Sequence, residues 1–82
     1  MRDVAAKKLK IVQNIVLARK RAGLSQAEVS ERLGKSTNFM SKVESLKRTV
    51  QAWELYDMAD ALETDPRDLV GPPSRREHKA KN

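Results

Sequence analysis

At 82 residues and a net charge of +6, the chain is long enough for one small domain and too short for two. It has no Cys, and its single His, His78, lies in a polar terminal stretch, which excludes a disulfide framework, a Cys-based metal site and a His-dependent catalytic dyad; no metal or cofactor is expected. No apolar run approaches the roughly 18 to 20 residues of a membrane helix and no signal-peptide pattern opens the chain, so a soluble, cytoplasmic protein is expected.

From Val4 to Ala22 the apolar residues Val4, Ile11, Ile15, Ala18 and Ala22 recur at helical spacing, and Gly23 supplies a left-handed stop. Ser25, with Glu28 three residues on, has the spacing of a capping box and starts a second helix over Gln26 to Leu33 that buries Val29 and Leu33. Gly34 ends it, because glycine tolerates positive φ. Ser36 is the expected N-cap of a third helix, whose inward residues are Met40 and Val43. Residues 45–49 read as a polar loop broken only by Leu46. A fourth helix runs over Ala52 to Leu62, with Trp53, Leu55, Met58, Ala59 and Leu62 as its apolar face and Glu54, Asp57 and Asp60 outward. Asp65-Pro66-Arg67-Asp68 places an acidic cap, a first-turn Pro and a first-turn acid at the start of a short fifth helix that ends by Gly71. The stretch 72–82 has no large apolar residue and reads as a basic, disordered tail following a domain over 1–71. No segment alternates with period two long enough for a strand, so the fold class is all-α with five helices.

Charge is unevenly placed. Residues 1–24 hold seven basic and one acidic side chain, 25–48 hold five and three, 49–71 hold one and six, and the tail four and one. A polyanion would meet one side of the protein and be repelled by another, although basic residues equally serve only to solvate a surface.

Counting from Gln26 as the first position of a twenty-residue frame, apolar residues fall at the fourth, eighth, fifteenth and eighteenth places (Val29, Leu33, Met40, Val43), with small Ser30 fifth and Gly34 ninth. Two short helices crossing steeply need a small side chain where they approach and a glycine where the chain turns. With LSQAE, the SKVE run and the ending DMADALETDPRDLV, the stretch from Ile11 to Val70, about three quarters of the chain, resembles the lambda-repressor/Cro-like (XRE-type) helix-turn-helix DNA-binding proteins. The resemblance implies a compact five-helix lambda-repressor-like domain with its helix-turn-helix in helices 2 and 3. Three positions depart from the family pattern: Leu46 and Glu63 stand where Gly is usual, and Ser30 where Ala is commoner. The loop at Leu46 is therefore expected to differ.

If Met40 and Val43 turn inward, Thr37, Asn38, Ser41, Lys42 and Ser45 point outward, as on a recognition helix in the major groove. Asn38 suits adenine, Lys42 guanine, and Thr37 a hydroxyl or thymine-methyl contact; the alternative is an ordinary polar surface. By the resemblance, Gln26 anchors the DNA backbone and braces the recognition helix, and Arg19 with Glu44 forms a partly exposed ion pair that orients it. Lys35, Ser36, Lys47 and Arg48 flank the third helix as phosphate contacts, Ser36 being a cap first. Phe39 either packs at the core edge or makes a methyl or sugar contact, and Trp53 reads as core. A second apolar stripe on the first helix (Ala5, Leu9, Val12, Val16) packs on the fifth helix or, through Leu9, Val12 and Val16, on a second subunit. These residues point to a non-enzymatic transcriptional regulator, a repressor binding a palindromic operator in double-stranded DNA as a homodimer. The competing reading is a protein-interaction module of the same fold, an antitoxin with a toxin as protein partner or a bridging factor of the transcription machinery.

Overall fold

The computed structural model describes residues 4–71, and the expected tail, with His78, lies outside them. Its helices are α1 (Val4–Ala22), α2 (Gln26–Arg32), α3 (Phe39–Glu44), α4 (Glu54–Leu62) and α5 (Arg67–Val70), with no strand among the described residues. The long α1 packs against α5, α3 and α4, while α2 packs against α3 and α4. One core joins them: Ile15, Val29, Met40, Val43, Met58, Leu62 and Leu69 are each no more than 2% exposed. Burying a side chain of this size contributes about 1.5–3 kcal/mol against the entropy of ordering the chain.

Four helices end in the same way. After α1, α2, α3 and α4 stand Gly23, Gly34, Leu46 and Glu63, each with positive φ (74°, 71°, 66° and 59°). Each donates its N–H to the carbonyl three residues back, and the following N–H reaches the carbonyl five residues back, as in Leu46 to Val43 (3.1 Å) and Lys47 to Lys42 (2.8 Å). This is the Schellman arrangement, which satisfies carbonyls that a helix end leaves open. Leu46 and Glu63, the two positions where Gly is usual, therefore adopt the left-handed backbone that favours Gly.

Several expectations are corrected. α3 begins at Phe39, with Thr37 and Asn38 in a preceding turn, and α4 begins at Glu54 rather than Ala52. Trp53 is 68% exposed, not core. At 100° per residue it lies about 170° from the centre of the buried Met58, Ala59 and Leu62 stripe, so angle overrides hydrophobicity. Val4 is likewise exposed at the free end of α1. Val12, expected on the second stripe that packs on the fifth helix or a second subunit, is buried within the chain: measured from Ile15 it is only about 60° round the helix.

Candidate nucleic-acid interface

α3 is short, six residues, and could not hold its shape alone; its position is set by neighbours on three sides. The first is a cap from another helix. Ser36 does not cap α3: its hydroxyl donates to Asn38 Oδ1 (3.0 Å), and no side chain of the residue flanking the helix bonds its first turn. Instead Ser30 on α2, fully buried, accepts the Met40 N–H (3.0 Å) and donates to the Gln26 carbonyl (2.9 Å). Ser30 in place of Ala thus adds a polar tie between the two helices of the helix-turn-helix, and no buried side-chain polar atom among the described residues lacks a partner.

The second support is Glu44, at the C-terminal end of α3. Arg19 donates to it through Nε (2.7 Å) and Nη2 (3.1 Å), and also to the Leu24 carbonyl. The Gln26 amide adds a third donor (2.8 Å). The pair was expected to be partly exposed, but its side chains are only 12% and 9% exposed, so it forms largely out of water. The capping box expected at Ser25 is present, with Glu28 N–H on the Ser25 hydroxyl (3.0 Å) and Ser25 N–H on the Glu28 carboxylate (2.7 Å), and it fixes the residue before Gln26. Those Ser25 bonds hold the Glu28 carboxyl below its usual pKa.

The third support lies on the opposite flank and was not legible in the sequence. Glu54, at the start of α4, accepts both Nη groups of Arg48 (3.0 and 3.1 Å) and the Gln51 N–H (2.8 Å), with the Lys35 ammonium at 4.0 Å. The Arg48 guanidinium, first among these, holds the Glu54 carboxyl below its ordinary value. Arg48 also donates to the Thr49 carbonyl and lies over the Phe39 ring, 4.7 Å from its centre, while Lys35 approaches that ring at 5.5 Å. Phe39 is buried and packs under these cations.

Between the two carboxylates the outward face of α3 is polar. Thr37, Asn38, Lys42 and Ser45 are exposed and Ser41 half-buried. Asn38 Oδ1 accepts one bond from Ser36, which leaves its second lone pair and the amide N–H groups for a base edge. Ser41 and Ser45 donate their hydroxyls to the carbonyls of Asn38 and Lys42, so toward an outside partner they offer acceptors. Lys42 and Lys47 have no side-chain partner among the described residues.

Residues 17–70 match the family described as "Helix-turn-helix domain", which spans most of the described chain. The chain belongs to the XRE-type helix-turn-helix family. Among solved structures this XRE-type protein is similar to an XRE-family-like protein from Pseudomonas syringae pv. tomato, at 31% identity over 92% of this chain and 88% of that one, with a TM-score of 0.76. It is also similar to a hypothetical transcription factor from Neisseria, at 25% identity over 96% and 91%, TM-score 0.79. A third likeness is to the restriction-modification controller protein of Aeromonas hydrophila, at 29% identity over 83% and 99%, TM-score 0.73. No curated protein sequence matches it. The fold is that of DNA-binding transcription regulators, which are not typically enzymes.

Within this XRE-type frame, the cations expected to flank α3 differ in availability. Lys47 is exposed and unpaired among the described residues, Lys35 is loosely held, and Arg48 is tied down in the Glu54 cluster. Gln26 is drawn to Glu44, in keeping with a bracing role. Leu9 is 44% exposed and Val16 half-buried, so with Val12 buried the second stripe on α1 is narrower than its sequence spacing implied. No helix of the described residues is long and apolar enough to cross a membrane.

Proposed function

We propose that the protein is a sequence-specific transcriptional regulator, a repressor, that binds a palindromic operator as a homodimer with α3 in the major groove. Thr37, Asn38, Ser41 and Lys42 face the bases in this reading, while Gln26, Lys35, Ser36, Lys47 and Arg48 lie along the phosphates. The observation that carries it is the outward face of α3, polar and open, on a helix braced from both flanks by Glu44 and Glu54. A surface that only kept the protein in solution would need neither brace. Asn38 then pairs with adenine and Lys42 with guanine, each good contact contributing about 1–3 kcal/mol of discrimination. Two copies place their recognition helices about 34 Å apart, one turn of DNA, which requires a symmetric site. Leu9 and Val16 on α1 are where the second copy docks. The acidic α4 face, with Asp57 and Asp60, stays away from the phosphates.

A second reading is favoured by one observation: Trp53, just before α4, and Tyr56 in its first turn are 68% and 67% exposed, beside those acids. Exposed aromatics of this kind are enriched at protein interfaces. They suit an antitoxin or bridging role, in which the partner is a protein.

Selection of bound sequences from a random duplex pool, with affinities read at two salt concentrations, decides between them. A palindromic consensus whose affinity falls steeply with salt supports the operator-binding dimer. A Thr37/Asn38/Lys42 triple Ala variant then loses the consensus and keeps only weak, sequence-blind binding. Weak binding to every sequence, with no consensus, would refute the operator reading and leave the protein partner.

A further inference from the structure

Glu44, the last residue of α3, and Glu54, the first of α4, both gather donors beside α3, but the cation on Glu44, Arg19, is largely enclosed. Glu54 holds two of the cations that border the DNA face, Lys35 and Arg48, and through them the ring of Phe39, the first residue of α3. Its side chain is 15% exposed and takes donors from the loop after α3 and from the segment before it. A carboxylate placed beside the phosphate path lowers affinity for any polyanion, so its retention there needs an offsetting gain.

We infer that Glu54 is a positioning residue of the DNA interface, which exchanges sequence-blind affinity for base discrimination. The inference rests on the reading of α3 as the base-reading helix. Arg48, held bidentately and stacked on Phe39, stays in place and fixes the N-terminal end of α3, next to Thr37 and Asn38. Lys35, at 4.0 Å, is the looser partner and swings from Glu54 to a phosphate when the complex forms. With Glu54 neutral, both cations are free for phosphates and the start of α3 loses its anchor. Binding to any duplex then tightens while the pose that reads Asn38 against the correct base blurs.

The test compares Glu54→Gln with Asp60→Asn, which makes the same charge change on an exposed position of α4 away from the cluster. Affinities are measured for the selected consensus and for a single-mismatch duplex across a salt series. Glu54→Gln is expected to bind the mismatched duplex several-fold more tightly, with a salt dependence steeper by about one phosphate contact, near 0.9 in log–log slope. Its preference for the consensus should fall about tenfold. Asp60→Asn should keep the full preference. Arg48→Lys keeps the charge but loses the bidentate and stacked geometry. It should lose preference without the steeper slope, and it decides the matter if Glu54→Gln fails to fold by circular dichroism. An unchanged preference in Glu54→Gln, or in Arg48→Lys when that variant decides, would overturn the inference while leaving α3 as the reading helix. A wild-type protein with no preference for any duplex would instead remove the reading of α3, and the inference with it.

Discussion

Replacing Ser30 with Ala tests whether α3 is capped from α2. The side chain is fully buried, and its hydroxyl makes two hydrogen bonds, one accepted from the Met40 N–H and one donated to the Gln26 carbonyl. Each is worth about 1 kcal/mol net, and a buried N–H left without a partner costs about 1–3 kcal/mol. The Gln26 carbonyl lies in a helix and retains other acceptor options, so the Met40 N–H dominates. An expected loss of about 2 kcal/mol follows, equivalent to roughly 8–16 °C in Tm for a domain of this size. Ser36→Ala is the comparison: its hydroxyl reaches only the exposed Asn38, and less than about 0.5 kcal/mol should be lost. Thermal unfolding by far-UV circular dichroism gives the ranking, and amide exchange locates the effect, since Met40 N–H should lose protection selectively in Ser30→Ala. A Ser30→Ala protein within about 0.5 kcal/mol of wild type, with Met40 still protected, would refute the trans-helix cap. So would a larger loss in Ser36→Ala than in Ser30→Ala.

Leu46→Gly should raise stability by about 0.5–1 kcal/mol in a urea titration, because Leu46 has φ of 66° and an exposed side chain; destabilisation would show that its side chain packs more than its exposure indicates. Glu63→Gly should gain less, since it also loses the exposed ion pair with Arg32 (3.0 Å). Glu44→Gln leaves Arg19 largely enclosed without its counter-charge, and a loss of about 2–3 kcal/mol is expected in the urea midpoint; a near-zero loss would mean that the pair orients without stabilising. Glu28 and Glu54 have carboxyl pKa values below the ordinary 4.5, so their stabilisation is complete above that value and is lost as pH falls through the lower folded value. A Glu28→Gln/Glu54→Gln protein should therefore lose less stability than wild type between pH 5 and pH 3, and an equally steep loss would assign acid sensitivity to other carboxyls.

The helix order, α1 to its last residue, and the inward Val29, Met40 and Val43 were legible because apolar period and stop signals agreed. The Arg19–Glu44 brace was legible only through the family resemblance. What escaped was set by contacts between elements. Ser30 looked like a small spacer because nothing in its neighbours announces a bond to an amide ten residues on. Arg48 and Glu54 are six apart across a loop, a spacing with no helical meaning, so their pairing was not announced and Glu54 was read as a solvent-facing acid. Trp53 was misplaced because its hydrophobicity was weighed above its angle from the buried face of α4.

The exposed position of Trp53 decides how this protein can be observed. It is the only Trp in the chain, and it is wet before the chain unfolds. Emission from a solvent-exposed indole should shift little on denaturation, so a flat fluorescence trace in urea would not mean that the core survived. The same ring is well placed to signal anything that covers the start of α4, and quenching or a blue shift on adding a ligand would mark that surface without a label.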